Sequence, residues 1–314
     1  MRVLAVMAFC FFLPTLWGQV ELHVLGTVQD AGAPQLGCKK ACCVWAAQED
    51  LSVVSLGLVD RFEERSFLIE ASPDLPAQMS ALSNKADFIG EVPDAILLTH
   101  AHIGHYTGLM YLGRESVNSS KIPVHAMPQM MEYLSRNGPW NQLVILQNIV
   151  LNRMTHYEGF SLSSAIKVMP LSVPHRDEYS ETVGFWIQGP VKSALFIPDI
   201  DKWELWEQDI RAWVQKVDYA FLDATFYDAA EVNYRPIEEI PHPFIIESMS
   251  LFENLPFAEK QKIHFIHMNH TNPALNPDSP QSREILRRGF HIARKGMMFQ
   301  SLTGNLMKRP VTWQ

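Results

Sequence analysis

The chain has 314 residues, of which 47% are hydrophobic and 19% are charged. This length and apolar content can bury a large core, which excludes intrinsic disorder as the main state and makes one domain the default. The formal net charge is −8, so the chain lacks the basic excess that binds phosphate backbones, and we expect no nucleic acid partner.

The amino-terminal segment resembles a secretory signal peptide. Arg2 is followed by an unbroken apolar run at 3–13. That run falls within the roughly 7–15 residues typical of a signal and well short of the roughly 20 that span a membrane. We therefore expect residues 1–18 to be cleaved before Gln19. Residues 19–314 would then form one exported domain, periplasmic or secreted, with no stable membrane insertion; a buried first strand or an uncleaved anchor is the alternative.

Three cysteines remain in one loop once the signal is removed: Cys38, Cys42 and Cys43. An odd set cannot pair completely within one chain. Either two of them form a disulfide and one thiol stays free, or three thiolates bind a structural metal ion together with a fourth ligand. His270 and His291 are the candidate fourth ligands. The residues alone leave both interpretations open.

Apolar runs rich in β-branched and aromatic residues predict strands along the whole chain. The predicted strands are 20–26, 52–59, 66–71, 95–99, 166–173, 182–188, 194–197, 219–222 and 263–266. Predicted helices lie between them. This alternation favours an α/β fold in which helices cover the outer faces of sheets.

Three of the predicted helices have recognisable starting residues. Asp74 is a candidate N-cap for a helix running to Ala86, and Ser279 is one for a last helix through Arg288. A third helix is predicted from Asp201, because apolar residues then recur at helical spacing: Trp203, Trp206, Ile210, Trp213, Val214 and Val217. We interpret this stripe as core packing.

A histidine cluster follows the buried run 95–99 directly. His100, His102 and His105 form a His-x-His-x-x-His motif, for which about 0.02 occurrences are expected in a random chain of this composition. Two histidines at alternate positions of an extended segment project to one side, and a turn can bring the third beside them. Imidazole nitrogens suit Zn or Fe, whereas Mg and Ca prefer oxygen. The motif predicts a transition-metal site.

Such a site needs further ligands, and three residues end other predicted strands: His175, Asp199 and His267. In α/β proteins an active site is expected at the edge of the sheet where several strands end. Each of the three residues alone could equally serve as a cap or a packing residue. The other histidines, His23, His125, His156, His242 and His264, are interpreted as surface or core residues.

The order of these ligands resembles the metallo-β-lactamase superfamily. That resemblance implies an αββα four-layer sandwich. Segments that carry it include 26–38, 70–74, 174–179, 197–203, 223–226 and 269–273. Within the superfamily the chain most resembles the family of pyrroloquinoline quinone (PQQ) biosynthesis B proteins, and more loosely the phosphodiesterases of phosphonate degradation.

The resemblance implies a role for each predicted ligand. His100, His102 and His175 would hold a first metal ion, His105 and His267 a second, and Asp199 would bridge the two. Cysteines in the first loop of these relatives bind a structural zinc, which favours that interpretation for the cysteine loop. The spacing here, C-x-x-x-C-C, differs from their C-x-C-x-x-C.

One departure concerns the second metal ion. The superfamily normally has an aspartate directly before the third histidine of the motif, and this chain has Gly104. We expect the second site to bind metal more weakly, or not at all, for that reason. The PQQ-related proteins depart in the opposite sense, since they often lose the histidines and keep the aspartate.

The sequence therefore predicts a metal-dependent hydrolase of ester or phosphodiester bonds that acts on a small molecule, with a metal-activated water as nucleophile. Its cofactor would be one or two Zn ions, with Fe as an alternative. Asp199 and His267 would be catalytic as well as ligating. An iron-dependent oxygenase on the same fold, and a PQQ biosynthesis or carrier protein with a degenerate site, are the rival hypotheses. The sequence does not predict an oligomeric state.

Overall fold

The computed structural model of the chain describes residues 20–232 and 240–299, so the expected signal peptide lies outside the described residues. Fourteen strands form two seven-stranded sheets within these ranges. They are β1 (Val20–Gly26), β2 (Ser55–Asp60), β3 (Arg65–Ile69), β4 (Ala95–Leu97), β5 (Ile122–Ala126), β6 (Ile149–Arg153), β7 (Phe160–Ser161), β8 (Lys167–Ser172), β9 (Val183–Gln188), β10 (Ser193–Ile197), β11 (Tyr219–Asp223), β12 (Ile263–Ile266), β13 (His291–Ile292) and β14 (Met298–Phe299).

Nine α-helices lie in the same ranges, several of them only one or two turns long. They are α1 (Ala41–Ala46), α2 (Leu75–Ser83), α3 (Ile103–Tyr106), α4 (Pro128–Arg136), α5 (Trp140–Ile145), α6 (Ile210–Lys216), α7 (Ile245–Leu251), α8 (Phe257–Lys260) and α9 (Pro280–Arg287). Short 3₁₀ helices occur at Thr107–Leu112, Trp203–Leu205, Ala229–Val232 and Pro273–Leu275. Among the described helices, none combines the length and the apolar character that a membrane span requires.

The two sheets have the same internal plan. The first has the order β14-β1-β2-β3-β4-β5-β6, with antiparallel pairs from β14 to β3 and parallel pairs from β3 to β6. The second has the order β13-β12-β11-β10-β9-β8-β7, with parallel pairs from β13 to β10 and antiparallel pairs beyond. Parallel neighbours bring successive carboxyl ends to the same edge of each sheet. The loops that follow these strands are therefore collected together.

Alternation along the strands places the two sheets face to face. Phe67 and Ile69 of β3 and Phe196 of β10 belong to one buried cluster between the sheets. Their neighbours Leu68 and Leu195 point the other way, into two outer clusters covered by helices. Successive side chains of a strand project to opposite faces, so continuous apolar runs mark strands that are buried on both faces. The result is a four-layer αββα sandwich, as the resemblance implies.

The helix predicted from Asp201 is wrong in its extent. Only the 3₁₀ turn Trp203–Leu205 forms there, the backbone is extended at Trp206, and α6 begins at Ile210. The reason is a competing cap, since the Asp209 side chain accepts a hydrogen bond from the Arg211 N–H. The predicted core role of the tryptophans is confirmed, because all three are buried in the outer cluster of the second sheet.

The other two predicted helices form, with one difference in capping. Ser279 accepts a hydrogen bond from the Ser282 N–H and caps α9, as predicted. Asp74 precedes α2 but makes no cap bond. Its carboxylate instead accepts from the Val53 N–H at 2.8 Å, which ties this helix start to the strand region before β2.

Candidate metal centre

The six side chains predicted as ligands come together at one edge of the sandwich. They stand in loops that follow strands, or in the short helix next to such a loop: His100 and His102 follow β4, His105 lies in α3, His175 follows β8, Asp199 follows β10 and His267 follows β12. Asp199 contacts all five imidazoles at 4.0 Å or less. The spacing argument of the sequence therefore agrees with the observed geometry.

A first group of ligand atoms contains three histidines and a carboxylate. His100, His102, His175 and Asp199 each offer an atom within 4.8 Å of the others. His100 Nε2 lies 2.8 Å from His102 Nδ1, and His175 Nε2 lies 3.2 Å from Asp199 Oδ1. All but His102 are buried. Three nitrogens and one oxygen at this separation are a ligand set for a zinc-like ion.

A second group of candidate ligand atoms also lies near Asp199. Asp30, His105 and His267 offer ligand atoms within 4.8 Å of one another. Asp199 Oδ2 lies 4.0 Å from His105 Nε2 and 3.9 Å from His267 Nε2. The sequence did not predict Asp30, which stands in the loop after β1.

Four of these histidines are oriented through their second ring nitrogen. The contacts to Nδ1 are Thr99 Oγ1 for His100 at 2.8 Å, Glu70 Oε1 for His105 at 3.1 Å, Asp201 Oδ1 for His175 at 3.1 Å, and Thr225 Oγ1 for His267 at 3.0 Å. Such partners fix ring orientation in metal sites. In each case Nε2 is left facing the centre.

Several polar atoms at the centre are buried without a hydrogen bond. Within 20–232 and 240–299, Asp30 Oδ1, His105 Nε2, Asp199 Oδ1 and His267 Nε2 have no hydrogen-bond partner. A buried polar atom that stays unsatisfied costs roughly 1–3 kcal/mol. Three of these atoms, on Asp30, His105 and His267, belong to residues whose candidate ligand atoms lie within 4.8 Å of one another, and a cation bound there would satisfy them. The donor set of nitrogens and carboxylate oxygens fits Zn or Fe.

The carboxylates and imidazoles of the centre shift one another's pKa values. Burial would raise the pKa of Asp199, but His175, His267 and His242 around it hold that pKa well below its usual range. Burial likewise opposes the charged form of His175, yet Asp199 and Asp201 raise its pKa to about 9. A metal ion that binds here must displace such protons.

His242, interpreted from the sequence as a surface or core residue, is buried beside the centre. Its Nδ1 lies 2.9 Å from Asp223 Oδ2 and 3.2 Å from Asp199 Oδ1. Burial disfavours its charge, but the two carboxylates raise the pKa of His242 to about 10. His242 follows no predicted strand and belongs to no spaced motif, so the sequence carried no local signal for this position.

Asp223 was also missed, although it ends a predicted strand just as Asp199 does. It can be grouped with Asp199 and His267. Its oxygens, however, accept hydrogen bonds from the Thr225 N–H and hydroxyl at 2.8 Å and from the Ile200 N–H at 3.1 Å. We therefore interpret Asp223 as a support for the ligands around it.

Two residues at the centre have left-handed backbone conformations. His267 has φ 65° and Glu70 has φ 76°. For residues other than glycine such conformations cost of the order of 1–3 kcal/mol and persist where surrounding structure fixes them. Here the flanking Met268 N–H donates to Thr27 O at 2.8 Å, and the Glu70 N–H donates to Leu97 O at 2.9 Å. The strain is therefore held by backbone bonds next to the ligands.

The cysteine loop forms a separate cluster. Cys38, Cys42, Cys43 and His270 offer ligand atoms within 4.8 Å of one another, and the three thiols are not joined in a disulfide. Burial raises the pKa of Cys43 to about 11. His291, the other candidate fourth ligand, contacts Gln261 at 3.2 Å instead. One nitrogen and three sulfurs match the ligand set of a structural zinc.

Comparisons with known proteins agree with this architecture. The profile of the beta-lactamase superfamily domain matches residues 65–268. The chain is 25% identical over 307 residues to Coenzyme PQQ synthesis protein B of Methylorubrum extorquens strain PA1. The alignment covers 88% of this chain and 99% of the relative.

Two solved structures show the same fold. Zn(2+)-bound PqqB from Methylobacterium extorquens superposes with a TM-score of 0.73 at 22% identity, over 89% of this chain and 99% of that one. A diphosphatase from the PhnP family superposes with a TM-score of 0.62 at 22% identity, over 90% and 97%. The chain thus has the metallo-β-lactamase fold, and it belongs to the β-lactamase superfamily domain family, with similarity to Coenzyme PQQ synthesis protein B along most of its length.

Proposed function

We propose that this protein is a metal-dependent hydrolase of ester or phosphodiester bonds in a small molecule. The observation that carries the proposal is the convergence of five histidines and Asp199, together with the buried ligand atoms that lack hydrogen-bond partners. A zinc ion bound by such ligands lowers the pKa of water from 15.7 to about 7 and polarises the oxygen of the scissile group.

The chain's own residues would divide the work around Asp199. His100, His102 and His175 would hold one ion, and His105 and His267 another, because their ligand atoms fall into two groups that both approach that carboxylate. His242 Nδ1 lies 3.2 Å from Asp199 Oδ1 and would add positive charge beside that carboxylate when protonated.

Substrate binding would use charge at the rim of the centre. Arg176 is exposed, and its Nη2 lies 3.4 Å from His102 Nε2. A guanidinium in this place suits an anionic substrate such as a phosphodiester, since Arg binds phosphate oxygens in a bidentate manner. A solved structure with this fold is described as a diphosphatase from the PhnP family, which supports a substrate that carries phosphate.

The test removes ligands from the first group. We expect His100→Ala and His175→Ala to lose metal and turnover together, whereas His156→Ala, an exposed histidine outside the centre, keeps both. Metal is measured by elemental analysis, and turnover with bis(p-nitrophenyl) phosphate, a thioester and a lactone. Circular dichroism checks the fold of each variant. If both ligand variants retained metal and turnover, the proposal would be wrong.

A role in PQQ synthesis is a second candidate. The observation in its favour is the similarity to Coenzyme PQQ synthesis protein B over 88% of this chain and 99% of the relative. A protein that binds PQQ with micromolar affinity and hydrolyses no compound of the panel would support this candidate over a hydrolase. Oxygen uptake with Fe(II) and a reductant would instead indicate an oxygenase.

We also propose that Cys38, Cys42, Cys43 and His270 bind a structural zinc ion. Their four ligand atoms are already gathered in one place, and the set matches a Cys₃His zinc site. Replacing Cys43 by Ser should release one zinc ion per chain while turnover by the histidine centre persists. Unchanged zinc content together with a mapped disulfide would contradict this assignment.

A further inference from the structure

Asp30 lies where the side chain of residue 104 would project. Gly104 is buried in α3, and a Cβ built on it would lie 2.4 Å from Asp30 Oδ1 and 2.6 Å from Asp30 Cα. Contacts under 3.0 Å to a backbone atom cannot be relieved by rotating a side chain. With the loop in this position, a side chain at residue 104 is excluded, and the carboxylate that occupies this space comes from residue 30.

We propose that Asp30 supplies the carboxylate that Gly104 cannot, and thereby completes the second metal group. The inference rests on the proposed function, because it concerns an ion of the same centre. It reverses the expectation that Gly104 leaves this group short of a ligand. The substituting residue comes from a distant part of the chain, the loop after β1.

The contacts of Asp30 are those of a ligand. Its Oδ1 lies 3.1 Å from His105 Nε2, and both groups lie with His267 in a set whose ligand atoms are within 4.8 Å of one another. Yet neither Asp30 Oδ1 nor His105 Nε2 makes a hydrogen bond among the described residues. An ion pair between Asp30 and His105 alone would be aligned as a hydrogen bond. Two close but misaligned atoms are expected when both face a common cation.

The loop that carries Asp30 is fixed to the strand end that carries His267. The Gln29 N–H donates to Met268 O at 2.9 Å, so the residues next to both ligands are bonded to each other. Gly32 has φ +73° and its N–H donates to Gln29 O at 2.9 Å, which turns the chain back after Asp30. A residue with a side chain is strained in this conformation. Asp30 and His267 are thus positioned as one unit.

The test compares metal binding by Asp30→Asn, Asp30→Ala and the unmodified protein. Asp30→Asn keeps the size of the side chain and removes its charge, and Asp87→Ala is the control because Asp87 is exposed and outside the centre. Zinc per chain is measured by elemental analysis, and affinity by titration of the metal-free protein. Cobalt substitution separates the ions, because only thiolate ligands give sulfur-to-cobalt charge-transfer absorption.

We expect both Asp30 variants to lose about one of the ions held by nitrogen and oxygen ligands, or to bind that ion at least about 10- to 100-fold more weakly. Mutation of a residue that only hydrogen-bonds a metal ligand already lowers metal affinity by this factor. Asp87→Ala should match the unmodified protein. Thermal unfolding of the metal-free variants shows whether a loss reflects misfolding, and Asp30→Asn decides the matter if Asp30→Ala is unstable. If both variants retained all such ions that the unmodified protein binds, whether one or two, the inference would be overturned while the hydrolase proposal stood. If the unmodified protein bound none, the proposed function itself would fail.

Discussion

Glu70 tests whether the centre depends on the orientation of its ligands. This residue is fully buried behind His105. Its Oε1 lies 3.1 Å from His105 Nδ1 and accepts a hydrogen bond from Thr99 Oγ1 at 2.7 Å. A carboxylate toward His105 favours the proton on Nδ1 and leaves the Nε2 lone pair for an ion. Glu70→Gln can turn an amide N–H toward Nδ1 and so favour the other tautomer, whose Nε2 carries the proton.

We expect Glu70→Gln to weaken the binding of the second metal ion. Loss of such an orienting partner costs about 10- to 100-fold in metal affinity, which is about 1.4 to 2.8 kcal/mol. Calorimetric titration of the metal-free protein with zinc measures the affinity, and urea unfolding measures stability. Glu115→Gln, an exposed residue, is the control. Binding of the second ion as tightly as in the unmodified protein would refute the tautomer argument.

Two further predictions concern stability and pH. In Gly108→Ala the new Cβ would lie 1.9 Å from the backbone oxygen of Ser72, so we expect a loss of more than about 3 kcal/mol in urea unfolding, beyond the usual range for overpacking. The control Gly90→Ala, where the nearest atom lies 3.9 Å away, should change stability by less than about 0.5 kcal/mol. Because the pKa of His175 is raised to about 9 from 6.5, its contribution to the stability of the metal-free protein is full below about pH 6.5 and is lost as the pH rises through 9. Zinc affinity should rise over the same pH interval, since the ion displaces a proton. Unfolding and zinc titrations at a series of pH values from about 6 to 9.5 measure the two trends. If stability and zinc affinity changed in the same direction with pH, the assignment would be contradicted.

The fold was predictable wherever strands are buried on both faces. Runs such as 194–197 and 263–266 coincide with β10 and β12 to within one residue, since burial on two faces demands uninterrupted apolar residues. The patterns did not predict β5 and β6. Strand β5 contains Pro123, which argues against a strand when read locally. Its parallel pairing with β6 nevertheless places it in the sheet. Because that pairing joins residues far apart in the chain, the local sequence pattern does not predict it.

The centre was predictable only where its residues obey a local rule. The motif that contains His100 and His105 is rare by chance, and its spacing predicts a metal site. Asp199 follows a clearly predicted strand. Asp30 and His242 obey no such rule, because what brings them to the centre is the path of a loop. Gly104 illustrates the limit most directly. Its missing side chain is visible in the sequence, whereas the carboxylate that fills the space is visible only in three dimensions.

The two candidate metal clusters differ in what holds them together. The histidine centre is built on the ends of strands that pack into the large hydrophobic cores, and partners such as Thr225 orient its rings. The cysteine cluster depends on α1, a helix of six residues whose N-cap, Lys40, makes no side-chain cap bond. Helices of this length are marginal without added contacts. An ion bound by Cys42 and Cys43 would therefore stabilise local structure, whereas an ion at the histidine centre would enter a site that is already formed and serve chemistry.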